Sequence, residues 1–255
     1  MICQTKNDRA AWLVGPTAIC AVEPDAPPHP WRIVLLGAPG VGKGTQAQLL
    51  SQRLRACHLS TGDVFRAAES IDEIDRTPAM SDALEYMIRG ELVPDEIVLN
   101  VLRERKGCLM CCGGFLLDGF PRTVAQAEAL DDLLRSQQTK LDAVIDYQLP
   151  RERIIERLSG RRTCTRCKAV FHVAHRAPTV EGICDKCGGE LIQREDDRQE
   201  SVMVRLEAYE KQTAPLTRYY RERGLLITID ARGSAEDVLS RTVAPFSVGL
   251  ERGRI

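Results

Sequence analysis

The sequence predicts a three-layer α/β fold, a five-stranded parallel sheet covered by helices on both faces, and three observations carry that expectation. Short, continuous apolar runs alternate with segments of helical periodicity, the order of elements that builds a parallel sheet. The first apolar run leads straight into a glycine-rich loop and then a helix, which puts a binding turn at the carboxyl end of a strand. Two further stretches break the alternation near strand or helix ends, where insertions can fold over a ligand.

In chain order, residues 1–30 close on Glu23-Pro24-Asp25-Ala26-Pro27-Pro28-His29-Pro30. Such a run can continue neither a helix nor a central strand, so a disordered extension is expected there. The ordered chain begins at Trp31, before Ile33-Val34-Leu35-Leu36, a run of the kind found in strands buried on both faces. Further strands are expected over 57–60, 115–118, 143–149 and 225–230, and helices over 43–55, 83–89, 96–106, 125–134, 151–159, 201–223 and 235–241. The organisation is core over 31–59, an inserted, mostly helical flap over 60–97 and core over 98–159, then a cysteine-bearing insertion over 160–197 and core with a C-terminal tail over 198–255.

The 35 basic and 36 acidic side chains leave a formal charge of −1, and aromatic content is 5%. A nucleic-acid or anionic-lipid partner is therefore not expected, and any phosphate site has to be a local gathering of arginine. No apolar run approaches the length of a membrane span. The mildly apolar stretch 10–22 is broken by Gly15-Pro16 and lacks a small-residue cleavage site, so it does not read as a signal peptide. The expectation is a soluble, cytoplasmic monomer.

The glycine-rich loop is Gly37-Ala38-Pro39-Gly40-Val41-Gly42-Lys43-Gly44-Thr45. Between a strand and a helix N-terminus it aims backbone N–H groups and the positive end of the helix dipole at one point, where a polyphosphate can sit, with Lys43 reaching its outer phosphates. Gly44 intervenes where the strict P-loop pattern has Ser or Thr after lysine, and the loop alone does not separate a kinase from a GTPase. Ser60-Thr61-Gly62-Asp63-Val64-Phe65-Arg66 follows the second strand and, taken alone, reads as a capped helix start with an arginine one turn in. Leu116-Leu117-Asp118-Gly119-Phe120-Pro121-Arg122-Thr123 ends the third strand in a carboxylate, a turn and an arginine; an acid after an apolar strand is where a P-loop protein holds the magnesium shell.

Cys164-x2-Cys167 and Cys184-x2-Cys187, 16 residues apart, have the spacing of a zinc ribbon. Four thiolates complete a tetrahedron, so the metal is expected to be structural, a staple for an insertion too small to hold its own core. His172 and His175 then fall on the surface of that insertion. Cys108, Cys111 and Cys112 form a second C-x2-C without a matching pair and read as buried thiols, while Cys3, Cys20 and Cys57 carry no assignment.

Together the loop 37–45, the block 60–66 and Asp118 to Arg122 resemble the nucleoside monophosphate kinases, and within them the adenylate kinases. Leu92-Val93-Pro94-Asp95, Gly160-Arg161-Arg162, Gln193-Arg194-Glu195-Asp196-Asp197 and Thr213-Ala214-Pro215-Leu216 follow in the family's order, so the resemblance runs from Trp31 to about Ala244. It implies reversible phosphoryl transfer from ATP to AMP giving ADP, with magnesium accompanying ATP and zinc in a lid. It implies that Gly40, Val41, Gly42, Lys43, Gly44 and Thr45, with Arg157 and Arg161, bind ATP. On the AMP side it implies Thr61, Arg66, Val93, Gly119, Arg122 and Gln126, with Arg194 and Arg205, Gln126 facing the adenine edge. Arg157, Arg161, Arg194 and Arg205 would converge with Lys43 and Arg122 on the transferring phosphoryl group, Asp118 would organise magnesium through water, and Asp196 and Asp197 would pair with the lid arginines. A GTP:AMP phosphotransferase or another monophosphate kinase is the sibling reading. A guanine-reading Asn-Lys-x-Asp is absent from the sequence, against a switch GTPase. The stretch 67–91 is a few residues longer than in common bacterial members of the family, with Thr77-Pro78 breaking it.

Overall fold

The computed structural model describes residues 9–15, 29–69, 71–88 and 93–251. Its main sheet is built from β1 (Arg32–Gly37), β2 (Cys57–Ser60), β3 (Phe115–Asp118), β4 (Ala143–Gln148) and β8 (Leu226–Asp230), in the order β2-β3-β1-β4-β8 with every pairing parallel. The alternation of side chains along β1 explains why its sequence is apolar throughout. Val34 and Leu36 enter one buried cluster with Leu59, Leu117 and Val144, whereas Ile33 and Leu35 enter another with Leu116 and Ile145. Each such side chain contributes about 1.5–3 kcal/mol on full burial. Because β1 has β3 on one side and β4 on the other, the chain reverses its winding there, and the crevice beyond the carboxyl end of β1 is where an open α/β sheet binds its ligand.

The helices match the periodicity in place more closely than in number or extent, eleven forming among the described residues where seven are expected. They are α1 (Ala10–Leu13), α2 (Lys43–Leu54), α3 (Thr61–Ala68), α4 (Pro78–Ile88), α5 (Asp95–Glu104), α6 (Lys106–Leu109), α7 (Val124–Ser136), α8 (Arg151–Ser159), α9 (Gln199–Ala208), α10 (Pro215–Glu222) and α11 (Ala235–Glu251). The flap comprises α3, a short 3-10 turn and α4; Pro78 opens α4 five residues earlier than the periodicity implied, because proline at a first helical position loses no hydrogen bond. The helix expected over 201–223 is interrupted. A π-turn at Tyr209–Thr213 separates α9 from α10, since Pro215 has no N–H to donate and its ring crowds the preceding turn. The second insertion folds into a small antiparallel sheet of β5 (Arg161–Cys164), β6 (Val170–His172) and β7 (Leu191–Ile192), in the order β6-β5-β7.

The N-terminal stretch departs from the expectation of disorder. Residues 9–15 are ordered, with Trp12 only 1% exposed inside the larger core cluster; burying an indole of that size offsets part of the entropy lost in ordering the segment. The remainder of 1–28, including most of the proline-rich run, and Leu92 lie outside the described residues. The expectation of buried thiols does not hold: Cys108 and Cys111 are half-buried and Cys112 is exposed; Cys57, left without assignment above, is disulfide-bonded, and its sulfur lies 3.6 Å from that of Cys111.

Candidate active site and lid metal centre

The loop between β1 and α2 turns through left-handed glycines at Gly37, Gly40 and Gly42. At Gly40 (φ +81°) the turn also passes so close to α8 that a Cβ would sit 2.5 Å from the Leu158 side chain, which excludes any other residue. Val41 is buried, while Thr45 at the first turn of α2 is exposed. Lys43 folds back over the loop, its Nζ donating to the carbonyls of Gly37 at 2.6 Å and Ala38 at 3.1 Å. Burial pushes its ammonium down to about 8, Arg122, Arg205 and Arg161 adding to the shift and Asp118 opposing it. Asp118 offsets only part of that shift, and a bound anion would supply further counter-charge.

Asp118 ends β3 beside that lysine, its Oδ2 within 3.8 Å of where a Cβ on Gly44 would lie. His58 Nε2 stands 3.5 Å from the same oxygen, in ionic reach but beyond a good hydrogen bond. Burial works to raise the Asp118 carboxyl, yet His58 and Lys43 outweigh it and hold the group below its ordinary value, hence ionised.

The arginines fall into two kinds. Arg161 makes a bidentate pair with Asp197, which is wholly buried, and Arg205 pairs with Asp196 at 2.9 Å while lying 3.7 Å from Asp197. Arg122, Arg157 and Arg194 make no ion pair among the described residues. Arg122 donates from Nε to the Gly119 carbonyl (2.9 Å), Arg157 to the carbonyls of Val41 and Ala231 (3.1 Å each), and Arg194 to the Thr163 hydroxyl (3.1 Å). Arg122 is solvent-exposed at its edge yet enclosed by protein; that desolvation first, then repulsion from Arg205 and Arg66, lowers its pKa. Desolvation also comes first for Arg194, followed by Arg161 and Arg66, and for Arg205, where Arg161 and Arg66 oppose the two carboxylates. These mutual repulsions place Lys43, Arg66, Arg122, Arg161, Arg194 and Arg205 around one region.

Opposite the loop, Ser60 caps α3 by accepting from the Asp63 N–H at 3.3 Å, which sets Thr61, buried, and Arg66 one turn apart. Gly119 (φ +85°) meets this helix start so closely that a Cβ would stand 2.9 Å from Thr61 Oγ1. Gln126 is buried and already engaged: its Oε1 accepts from the Arg122 N–H at 2.7 Å and its Nε2 donates to Asp95 at 2.6 Å. One N–H and one lone pair of the amide remain for a ligand. Val93 is half-buried against the core just ahead of α5. Near Arg157 a cavity of about 390 Å³ opens between Leu149, Gly233 and His175 of the lid.

In the lid, the Sγ atoms of Cys164, Cys167, Cys184 and Cys187 all lie within 4.8 Å of one another, Cys164 and Cys187 at 3.4 Å, Cys167 and Cys184 at 3.5 Å. A zinc tetrahedron with Zn–S of about 2.3 Å has sulfur edges of about 3.8 Å, so four free thiols at these separations fit such an ion. Each knuckle closes the same way. Lys168 and Gly188, both left-handed, follow the second cysteine and donate to the carbonyl of the first, at 3.2 and 2.8 Å. Around the sulfurs only Phe171 and Leu191 are buried apolar side chains, which is little core for an insertion of this length.

The family model for adenylate kinase matches residues 35–225 of this sequence. The chain belongs to the adenylate kinase family. It is 54% identical over 217 residues to an adenylate kinase of Caldicellulosiruptor bescii, covering 85% of this chain and 99% of that protein. To an adenylate kinase of Moorella thermoacetica it is 54% identical over 224 residues (88% and 98%), and to one of Carboxydothermus hydrogenoformans 52% over 209 (82% and 96%). Asp95, His58 and Arg9, to which the sequence assigns no role, contact residues that it does assign. Asp95, at the end of Leu92-Val93-Pro94-Asp95, accepts from both Thr123 Oγ1 (2.8 Å) and Gln126. The signal for His58 was its strand parity: it lies two residues before Ser60, the register partner of Asp118.

Proposed function

We propose that this chain catalyses reversible phosphoryl transfer from ATP to AMP, yielding two ADP, with magnesium accompanying ATP and structural zinc in the lid. The observation that carries the reading is the crowding of Lys43, Arg122, Arg161, Arg194 and Arg205 upon one another beside an ionised Asp118, a concentration of positive charge that the nearby carboxylates offset in part and a polyanion would relieve further.

A phosphate oxygen of AMP, already ionised, attacks the γ-phosphorus of ATP; the new P–O bond forms as the bond to the β,γ-bridging oxygen breaks and its electron pair leaves with ADP. No general base is required, so the chain's work is alignment and charge neutralisation. The backbone of Gly40 to Thr45, with Arg157, holds the donor phosphates, and the cavity beside Arg157 suits the donor base. Arg66, Arg122 and Thr61 hold the acceptor, whose adenine edge finds the free N–H and lone pair of Gln126. Arg161, Arg194 and Arg205 gather on the transferring group with Lys43, each fork able to contact two oxygens. Asp118, as a hard, ionised oxygen donor, would hold the water shell of magnesium, which when bound neutralises part of the phosphate charge. Zinc on the four cysteines would keep the lid folded, so that water is excluded and hydrolysis avoided. No described helix is long and apolar enough to cross a membrane.

The test is ADP formation over a panel of nucleoside monophosphates and triphosphates with the zinc-loaded protein. ATP with AMP is expected to be the best pair. Faster phosphorylation of UMP or CMP, or a donor other than ATP used preferentially, would overturn the reading.

A further inference from the structure

Residues 9–15 precede the stretch that matches the family, and the relatives named above align over 96–99% of their own length while leaving 12–18% of this chain unmatched. The segment nevertheless docks between flap and core. Trp12 donates from Nε1 to the carbonyl of Ser60, the cap of α3, at 2.9 Å, and its own carbonyl accepts from Arg105 Nε at 2.6 Å. Arg105 is completely buried, gives Nη1 to the Val101 carbonyl at 3.2 Å and pairs with Glu104 at 3.0 Å, so a charged group has been taken out of water at a point where it holds this segment. At Gly15 (φ +132°) a Cβ would stand 2.6 Å from Thr77 Cγ2 of the flap. These contacts fix α1, and with it the residue at its start.

That residue is Arg9. Its Nη1 lies 2.6 Å from Oδ2 of Asp63, and Arg66 Nη2 lies 2.5 Å from the other oxygen, Oδ1. One carboxylate is thus shared by two guanidinium groups, a triad with a net positive charge. Without Arg9, Asp63 would be free to neutralise Arg66 alone.

We propose that Arg9, anchored by Trp12, is a positioning residue for the acceptor: by occupying one oxygen of Asp63 it leaves the guanidinium of Arg66 held in place but only half neutralised, and so strengthens its grip on the phosphate of AMP. The inference rests on Arg66 belonging to the acceptor site. Burial works to raise the Asp63 carboxyl, but Arg9 and then Arg66 hold it below its ordinary value, so the bridge stays ionised at neutral pH. A plain packing role for the segment would act through Trp12 alone and would leave donor and acceptor affected alike.

The test compares the full chain with Arg9→Gln, Arg9→Lys, Arg66→Ala and the double variant Arg9→Gln with Arg66→Ala, measuring kcat, KM for AMP, KM for ATP and the thermal midpoint. Arg9→Gln is expected to raise KM for AMP by about three- to fivefold, the upper end of a partly exposed ion-pair effect, with kcat and KM for ATP within about twofold. Arg9→Lys should recover most of the loss, because it restores the charge. In the Arg66→Ala background Arg9→Gln should add nothing, since its route is gone. An unchanged KM for AMP in Arg9→Gln, equal rises for both nucleotides with a fallen midpoint, or effects that multiply in the double variant would each overturn the proposal alone. An Arg66→Ala enzyme with normal KM for AMP would overturn the acceptor-site reading, and the proposal with it.

Discussion

Lys43 is the group through which pH should act on donor binding. Burial, with Arg122, Arg205 and Arg161 close by, brings its pKa from 10.5 to about 8, so keeping the proton costs the nucleotide-free protein roughly 3 kcal/mol at about 1.36 kcal/mol per unit. Donor phosphates supply the missing counter-charge and should draw the value back up, which makes proton uptake part of binding above pH 8. The sign follows from the lowered value. Below about pH 8 the free protein already carries the charge and affinity is flat; above it, kcat/KM for ATP should fall towards tenfold per pH unit. The profile is measured from about pH 6.5 to about 9.5 at saturating AMP, with calorimetric titration near pH 8 in two buffers of different ionisation enthalpy, where about half a proton should be taken up. Lys43→Arg should lower kcat/KM throughout, through poorer fit, but remove this limb, because guanidinium does not titrate in that range. A flat wild-type profile to the alkaline end without proton uptake, or an arginine variant that falls in parallel with it, would refute the reasoning.

Lys43→Ala and Arg122→Ala should each lower kcat by at least about a hundredfold with an unchanged circular dichroism spectrum, since each removes charge from the transferring group; near-normal turnover of either variant would sink its assignment. The purified chain should carry one zinc, and a chelator should lower the thermal midpoint and loosen 161–197 before the core unfolds. Cys184→Ser with Cys187→Ser should abolish the metal, while Cys108→Ser with Cys111→Ser should leave it in place; the opposite pattern would overturn the cluster. Asp146, 1% exposed on β4, accepts from Gln148 through Oδ2 at 3.0 Å but leaves Oδ1 without a partner, and burial raises its carboxyl. A raised carboxyl favours the fold below the unfolded-state value and loses that contribution as pH rises through the folded value. Asp146→Asn should therefore be more stable than wild type near pH 8, with the gap in thermal midpoint closing towards pH 4; a gap independent of pH would count against it.

Much of this was legible from residues 31 to 244 because the signals there are local. A strand buried on both faces must be apolar at every position, as Ile33 to Leu36 are, and a loop that turns through left-handed backbone against a neighbouring helix must be glycine, as at Gly40. The cysteine spacing carried the lid cluster for the same reason, since two knuckles have to present two sulfurs each. What escaped depends on partners distant in sequence. Trp12 reads as one aromatic in a short apolar stretch until Ser60 and Arg105, far along the chain, supply its hydrogen bonds. Gln126 reads only as a residue facing a ligand, and the fact that Asp95 and the Arg122 N–H hold its amide in place appears only in the fold. The break at Pro215 was open to reading from the sequence, because proline that far inside a helix removes a hydrogen bond, but the strong periodicity on either side concealed it.

The pairing of the arginines gives the site a physical order of events. Arg161 and Arg205 hold their forks on Asp197 and Asp196, and Arg66 shares Asp63 with Arg9, so these cations are oriented before any ligand arrives and a phosphate has to compete with a carboxylate for them. Arg122, Arg157 and Arg194 lean only on carbonyls and a hydroxyl, which orient a guanidinium without neutralising it. On the proposed assignment an incoming phosphate should gain most from the second group at once, the first group adding its charge only as contacts to Asp63, Asp196 and Asp197 are stretched or shared. The carboxylates lower the repulsion among clustered cations that would otherwise strain the site. Removing one of them, as in Asp197→Asn, does not free Arg161 for substrate so much as release its aim, because the same bidentate contact that competes with phosphate is the one that fixes the direction in which the fork points.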